Sequence, residues 1–175
     1  MTLATATKRV PLDPAWKSVL DCASVEVFEM MAGARLTPYV VPAVQPGAEA
    51  VPLEQSGMTA MVGLAGALCG MITIRCPSDT AIKLASKMAG DEAAKDPNIV
   101  GDAMGELCNM VAGNFKAKIT SLADHCMLSV PTVISGDNYV MQAAEPSEAL
   151  QVALNLDNSP IWISLNHPIL IREQP

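Results

Sequence analysis

Apolar residues recur at helical spacing near the start of the chain, as Trp16, Val19, Leu20, Ala23, Val27, Met30 and Met31. Asp13 is placed to cap this helix, Pro14 suits its first position, and Gly33 suits the position just past its end. Pro38, Pro42, Pro46 and Pro52 then stiffen residues 37–52 as extended surface chain, with room for a short edge strand at Tyr39–Val41. Farther on the period changes to two. Ile72, Ile74 and Cys76 point one way and Met71, Thr73 and Arg75 the other, a strand whose partner is Met58–Leu64 across a turn at Ala65–Cys69. Ser78 is placed to cap a short helix over 79–89 that Gly90 stops, and a charged connector, 91–96, leads to a second helix start at Asp96-Pro97. That helix can run to about Leu122, after which strands are predicted at 127–134, 139–143, 150–156 and 161–165. The turns between them fall at Ser135–Asn138, Glu145–Ser147 and Asp157–Pro160. Two groups of strands, the later ones joined by short turns and separated from the first by helices, predict an α+β fold: a mainly antiparallel sheet packed with long helices.

Composition narrows this picture. A chain of 175 residues, half of them apolar and 17% charged, can bury a sizeable core and is expected to form one domain, with 1–12 and 168–175 as loose ends. Aromatics make up 3% against 11 Met, which predicts an aliphatic, softly packed core and leaves no row of rings on which nucleic-acid bases could stack. A net charge of -7 likewise disfavours a binder of phosphate backbones. Five scattered cysteines without a CxxC, and two histidines, do not make a zinc site; they fit free thiols in a reducing, cytoplasmic setting. Lys8 and Arg9 have no apolar run behind them, so no signal peptide is expected. Residues 55–74 are uncharged for the length of a membrane span, and Gly66 and Gly70 make a helix-pairing spacing, but four glycines and the alternating flank favour the hairpin.

Candidate chemistry lies on the long helix. At 100° per residue Asp102, Glu106, Asn109, Gly113 and Lys116 form one narrow polar stripe, opposite Ala103, Met104, Leu107, Met110, Val111 and Phe115. Asn114 and Lys118 fall awkwardly toward the apolar side. An ordinary solvated face explains most of such a stripe. Gly105 and Gly113, each costing about 1 kcal/mol against Ala, flank it and fit either close internal packing or a face kept low for a partner's approach.

The run Gly105-Glu106-Leu107-Cys108-Asn109-Met110-Val111-Ala112-Gly113-Asn114, followed by Pro131-Thr132-Val133-Ile134-Ser135-Gly136, resembles the CheX branch of the CheC/CheX/FliY chemotaxis phosphatases. The signature of that family is Asp or Ser, three residues, Glu, two residues, Asn, twenty-one residues and Pro; Asp102, Glu106, Asn109 and Pro131 fit each interval. The likeness runs from about Gly57 to Gln142. The first helix offers Glu26 and Glu29 without an Asn at the matching spacing, which implies one site per chain, unlike CheC-type members. The resemblance implies a homodimeric phosphatase acting on the aspartyl phosphate of a CheY-like receiver, with Asn109 orienting water and Glu106 pairing with the receiver's lysine. It further implies that Asp102 supports the helix start, that Pro131 shapes the chain beneath the site, and that Mg²⁺ comes with the receiver, the phosphatase having no cofactor of its own.

Other readings remain open at this stage. A catalytically silent docking module would carry the same helix, and a small-molecule sensor would carry the same fold. Cys108 with His125 is a poor thiol nucleophile pair, because Cys108 sits about 100° from Asn109 and His125 lies beyond the helix. A Met-rich apolar face serves as core more often than as a partner groove.

Overall fold

A computed structural model describes residues 12–39, 56–137, 139 and 147–168. In chain order these form α1 (Trp16–Ala32), β1 (Thr37–Pro38), β2 (Ser56–Gly66), β3 (Gly70–Pro77) and α2 (Ser78–Ala89). A 3-10 turn at Ala93–Lys95 precedes α3 (Pro97–Ala117) and the one-turn α4 (Thr120–Ala123). Then come β4 (Cys126–Leu128), β5 (Thr132–Asp137), β6 (Ser147–Leu156) and β7 (Ser159–Pro168).

The strands make a single antiparallel sheet in the order β1-β6-β7-β3-β2-β4, with β5 pairing β2 on the same side as β4. Every pairing is antiparallel, so the α+β architecture expected from the sequence is the one found. Helices α1, α2 and α3 pack together on one face of this sheet. Toward them point Ile72, Ile74 and Cys76 of β3 and Ile161, Ile163 and Leu165 of β7, all buried. On the opposite face hydroxyls pair across strands: Thr59 and Tyr139 share a 2.6 Å hydrogen bond, as do Thr73 and Ser164.

Several boundaries differ from the sequence reading, each for a local reason. Asp13 caps the turn before α1, its Oδ1 accepting the Ala15 amide at 2.8 Å, so the helix proper begins at Trp16. At its other end Gly33 is left-handed (φ 55°), and the amides of Gly33 and Ala34 close back on the carbonyls of Glu29 and Phe28. Ser78 is the first residue of α2 rather than its cap. The long helix stops at Ala117, because Ile119 is extended, and resumes as α4. Asp157 and Asn158 alone turn the last hairpin, both at positive φ, so Ser159 and Pro160 join β7. Ser135–Asp137 continue β5 against β2 instead of turning, with Gly136 opposite Gly57. β1 lies at Thr37–Pro38, and Tyr39 donates its amide to the Ala153 carbonyl; Val40, Val41 and most of the strand expected at 139–143 lie outside the described residues.

The core is aliphatic, but methionine contributes little to it. Met58 and Met104 are buried, whereas Met30 and Met127 are exposed and others line its rim. Both phenylalanines, Phe28 and Phe115, are fully buried, and Trp16 meets Phe115 edge to face at 6.2 Å. No helix among the described residues is long and apolar enough to cross a membrane, and residues 56–77 are the β2–β3 hairpin.

Two glycines give opposite expectations for stability. Gly66 has φ +113°, and a Cβ there would sit 2.3 Å from the His125 carbonyl oxygen, so Gly66→Ala is expected to destabilise the fold by about 2 kcal/mol or more. Gly101 lies inside α3 with nothing within 4 Å of an added Cβ, and Gly101→Ala is expected to stabilise by up to about 1 kcal/mol. Urea unfolding of the two variants beside the parent measures both signs.

Candidate functional site

Helix α3 is positioned by what it buries. Asp96 caps it, its carboxylate accepting the Asn98 amide at 2.9 Å, and Pro97 occupies the first position. Asp102 stands in the second turn, exposed, so the helix start rests on Asp96. Met104, Leu107, Cys108, Val111 and Phe115 are fully buried against the sheet and neighbouring helices, which leaves the opposite side of α3 to solvent.

One border of the helix runs along the edge of the sheet. A Cβ on Gly105 would meet Pro131 Cβ at 3.4 Å and Val133 Cγ2 at 3.5 Å. Three turns later Lys116 Nζ donates to the Cys126 carbonyl at 2.6 Å. Residues 105, 109, 112 and 116 share one helical stripe, so the chain from Cys126 to Pro131 passes antiparallel beside it. Asn109 lies on that stripe midway, half-buried, and Glu106 and Asp102 stand on its solvent side, exposed. Among the described residues neither Glu106 nor Asn109 makes a side-chain hydrogen bond or ion pair. Their polar groups are therefore available: a carboxylate and a carboxamide, three residues apart on one exposed surface.

The two flanking glycines do different things. Gly105 is buried, and its missing side chain admits Pro131 and Val133. Gly113 is half-exposed with nothing within 4 Å of an added Cβ, so its bareness is turned outward. Lys116, which falls on the polar stripe by spacing, is spent on the Cys126 carbonyl. Asn114 and Lys118, misfits by spacing, face α1: Asn114 Nδ2 donates to Glu26 Oε2 at 2.9 Å, and Lys118 Nζ lies 2.9 Å from Oε1 and 2.8 Å from Oε2. Glu26 thus ties α1 to the C-terminal end of α3, while Glu29 is exposed.

Cys108 is fully buried, its thiol donating to the Ile72 carbonyl at 3.6 Å, and burial pushes its pKa up to about 12. His125 is exposed beyond α4, so the two make no nucleophilic pair. Among the described residues no group of three or more His, Cys, Asp or Glu is placed to hold a metal ion. An open groove of about 890 Å³ lies at the β1–β6 edge of the sheet beside the start of α1, lined by Lys17, Asp21, Tyr39, Gln151 and Trp162 among others, at the end of the sheet opposite β4 and β5.

Residues 127–134 read by pattern as one strand. Instead the chain breaks at Ser129–Pro131, between β4 and β5, where it passes α3. The signal was present: Pro131 has no amide to give a ladder.

An antiparallel sheet with its helices on one side is the fold of the CheC/CheX-like proteins. Within that class this chain belongs to the chemotaxis phosphatase CheX family, whose model matches residues 58–155. It is 34% identical over 80 residues to the CheY-P phosphatase CheX of Thermotoga maritima, an alignment spanning 45% of this chain and 52% of that protein's length. Its fold is similar to that of a chemotaxis protein CheX from Desulfovibrio desulfuricans (TM-score 0.71, 22% identity, 86% of this chain and 97% of that one). It is also similar to a chain in the CheX-CheY-BeF3-Mg²⁺ complex from Borrelia burgdorferi (TM-score 0.67, 25% identity, 88% and 98%).

The Glu26 cluster has a measurable signature. Hydrogen bonds from Lys118 and then Asn114 hold the Glu26 carboxyl down to about 2, against an ordinary 4.5. A depressed folded-state pKa means stability fully present above 4.5 and lost as the pH falls toward 2. Glu26→Gln is expected to flatten that part of the stability–pH profile, as read by thermal melts from pH 7 down to pH 2.

Proposed function

We propose that this chain hydrolyses the aspartyl phosphate of a CheY-like receiver by presenting the Glu106–Asn109 face of α3 to it. The observation that carries the reading is the pair itself, Glu106 exposed and Asn109 half-buried beside it, both without internal partners on a closely packed helix. In the reaction water attacks phosphorus, the bond from phosphorus to the receiver's carboxylate oxygen breaks, and the aspartate leaves as carboxylate. Inorganic phosphate is released, and the proton lost by water ends on phosphate or solvent.

A carboxamide suits this task. Its carbonyl accepts from a water and its NH₂ donates to a phosphoryl oxygen, so Asn109 can hold the nucleophile in line without titrating. Such a transition state needs positioning and charge neutralisation more than covalent chemistry. Glu106, one turn away, pairs with the lysine of the receiver and sets the docking angle. Mg²⁺ would come with the receiver and would supply charge neutralisation at its phosphoryl group, while Asp102 stands exposed on the same side of the helix as Glu106. Pro131 acts from beneath, by its contact at Gly105.

The two side chains are separable by experiment. Asn109→Ala is expected to lower single-turnover phosphate release by about 100-fold or more while receiver affinity changes less than twofold; Glu106→Ala is expected to weaken affinity and turnover together. Both residues stand clear of the core, so thermal stability should move by about 1 kcal/mol at most. Unchanged turnover in Asn109→Ala defeats the water-positioning role, and a wild-type chain that binds receivers but accelerates none is a docking module.

The same reading includes a homodimer joined through sheet edges. Among the described residues β1 covers β6 only at Leu154 and Asn155, which leaves Ser147–Val152 with unpaired backbone on that side. Light scattering across micromolar concentrations is expected to give twice the 18.4 kDa chain mass, and a particle of one chain mass refutes the dimer.

A further inference from the structure

Val130 is 84% exposed, more than any other large apolar side chain among the described residues. Isolated exposed valines are commonplace on loops and carry no message by themselves. This one is mounted differently. On its N-terminal side the Ser129 amide donates to the Gly63 carbonyl at 2.9 Å, and the Gly63 amide donates to Ser129 Oγ at 2.8 Å. The same hydroxyl donates to the carbonyl of Val130 at 2.9 Å. On its C-terminal side Pro131 has a fixed φ and lies against α3 at Gly105. Both neighbours of Val130 are thus clamped, one to β2 and one to the helix that bears Glu106 and Asn109.

We propose that Val130 is an apolar recognition contact for the receiver, flanking the Glu106–Asn109 face; this rests on the function proposed above. Two observations favour a receiver over a second copy of this chain. The edge is interrupted where Val130 stands, since Ser129 bonds inward through its side chain as well as its amide and Pro131 has no amide, so an added strand would find no continuous ladder. The adjoining helix face carries the carboxylates Asp102 and Glu106, while Lys116, about three turns farther along the same stripe, is occupied by the Cys126 carbonyl. That face calls for a partner offering a cation next to an apolar patch. A receiver with a lysine at its phosphorylation site supplies the cation, and Val130 then buries against the surface beside it.

The test uses the full chain and a CheY-type receiver that the wild-type protein dephosphorylates, held in its beryllofluoride–Mg²⁺ form for binding and acyl-phosphorylated for turnover. Val130→Asp is expected to weaken binding at least tenfold, with the loss appearing in KM rather than kcat, and Val130→Ile is expected to bind like wild type. Val130→Thr, equal in shape and polar, should fall between them. Binding of Val130→Asp within twofold of wild type overturns the proposal. So does a change of particle mass in Val130→Asp, which would assign the contact to a second copy. A wild-type chain that neither binds nor dephosphorylates any receiver fails earlier, at the functional reading, before the variants are compared.

Discussion

Everything on the candidate face depends on how α3 is seated. Its inner side is pressed into the sheet by fully buried Met104, Leu107, Val111 and Phe115, which sets the rotation of the helix about its own axis. Its lateral position comes from two contacts about three turns apart, Gly105 on Pro131 and Lys116 on the Cys126 carbonyl. Glu26, bonded to Asn114 and Lys118, fixes its far end to α1. A helix held on three sides has one direction left in which to display side chains, and Glu106 and Asn109 lie in it. The chemistry proposed for them asks for positional accuracy rather than for reactive groups, so the scaffold is the larger part of the site.

This division explains the simplicity of the chemical inventory. The thiol on the site helix, Cys108, is fully buried, and burial pushes its pKa up to about 12. The lysine beside the polar stripe is used structurally. What remains on that face are the exposed carboxylates of Asp102 and Glu106 and the half-buried amide of Asn109.

Much of this was legible in the sequence. The alternation around Ile72 and Ile74 gave the hairpin its register, and the 3.6-residue period of α3 separated its buried from its exposed side. The family resemblance pointed to Glu106 and Asn109, and folding places them on one open surface. What could not be read were relations between distant segments. Asn114 and Lys118 look misplaced on a helical wheel because their partner, Glu26, is about 90 residues away. Gly105 and Gly113 look alike along the chain, yet one faces Pro131 and the other faces solvent. The Met-rich composition suggested a pliable core, but among the described residues only Met58 and Met104 are buried in it, and Met31, Met88 and Met110 sit at its rim.

The arrangement of the sheet also bears on how the chain assembles. β2–β3 and β6–β7 are local hairpins, the second closed by the two-residue turn Asp157-Asn158. Either can form early because little chain entropy is spent in closing it. They meet through β3 and β7, where Ile74 stands opposite Ile163, so joining them encloses roughly 90 residues that include α2, α3 and the broken edge. The pairing of β3 with β7 is thus a long-range closure of the sheet, costlier in chain entropy than either hairpin. α3 packs on β2, β3, β4 and β5, on one side of that junction, whereas α1 packs both on β6 and on α3, so joining the two halves of the sheet is what brings α1 against the helix that bears Glu106 and Asn109.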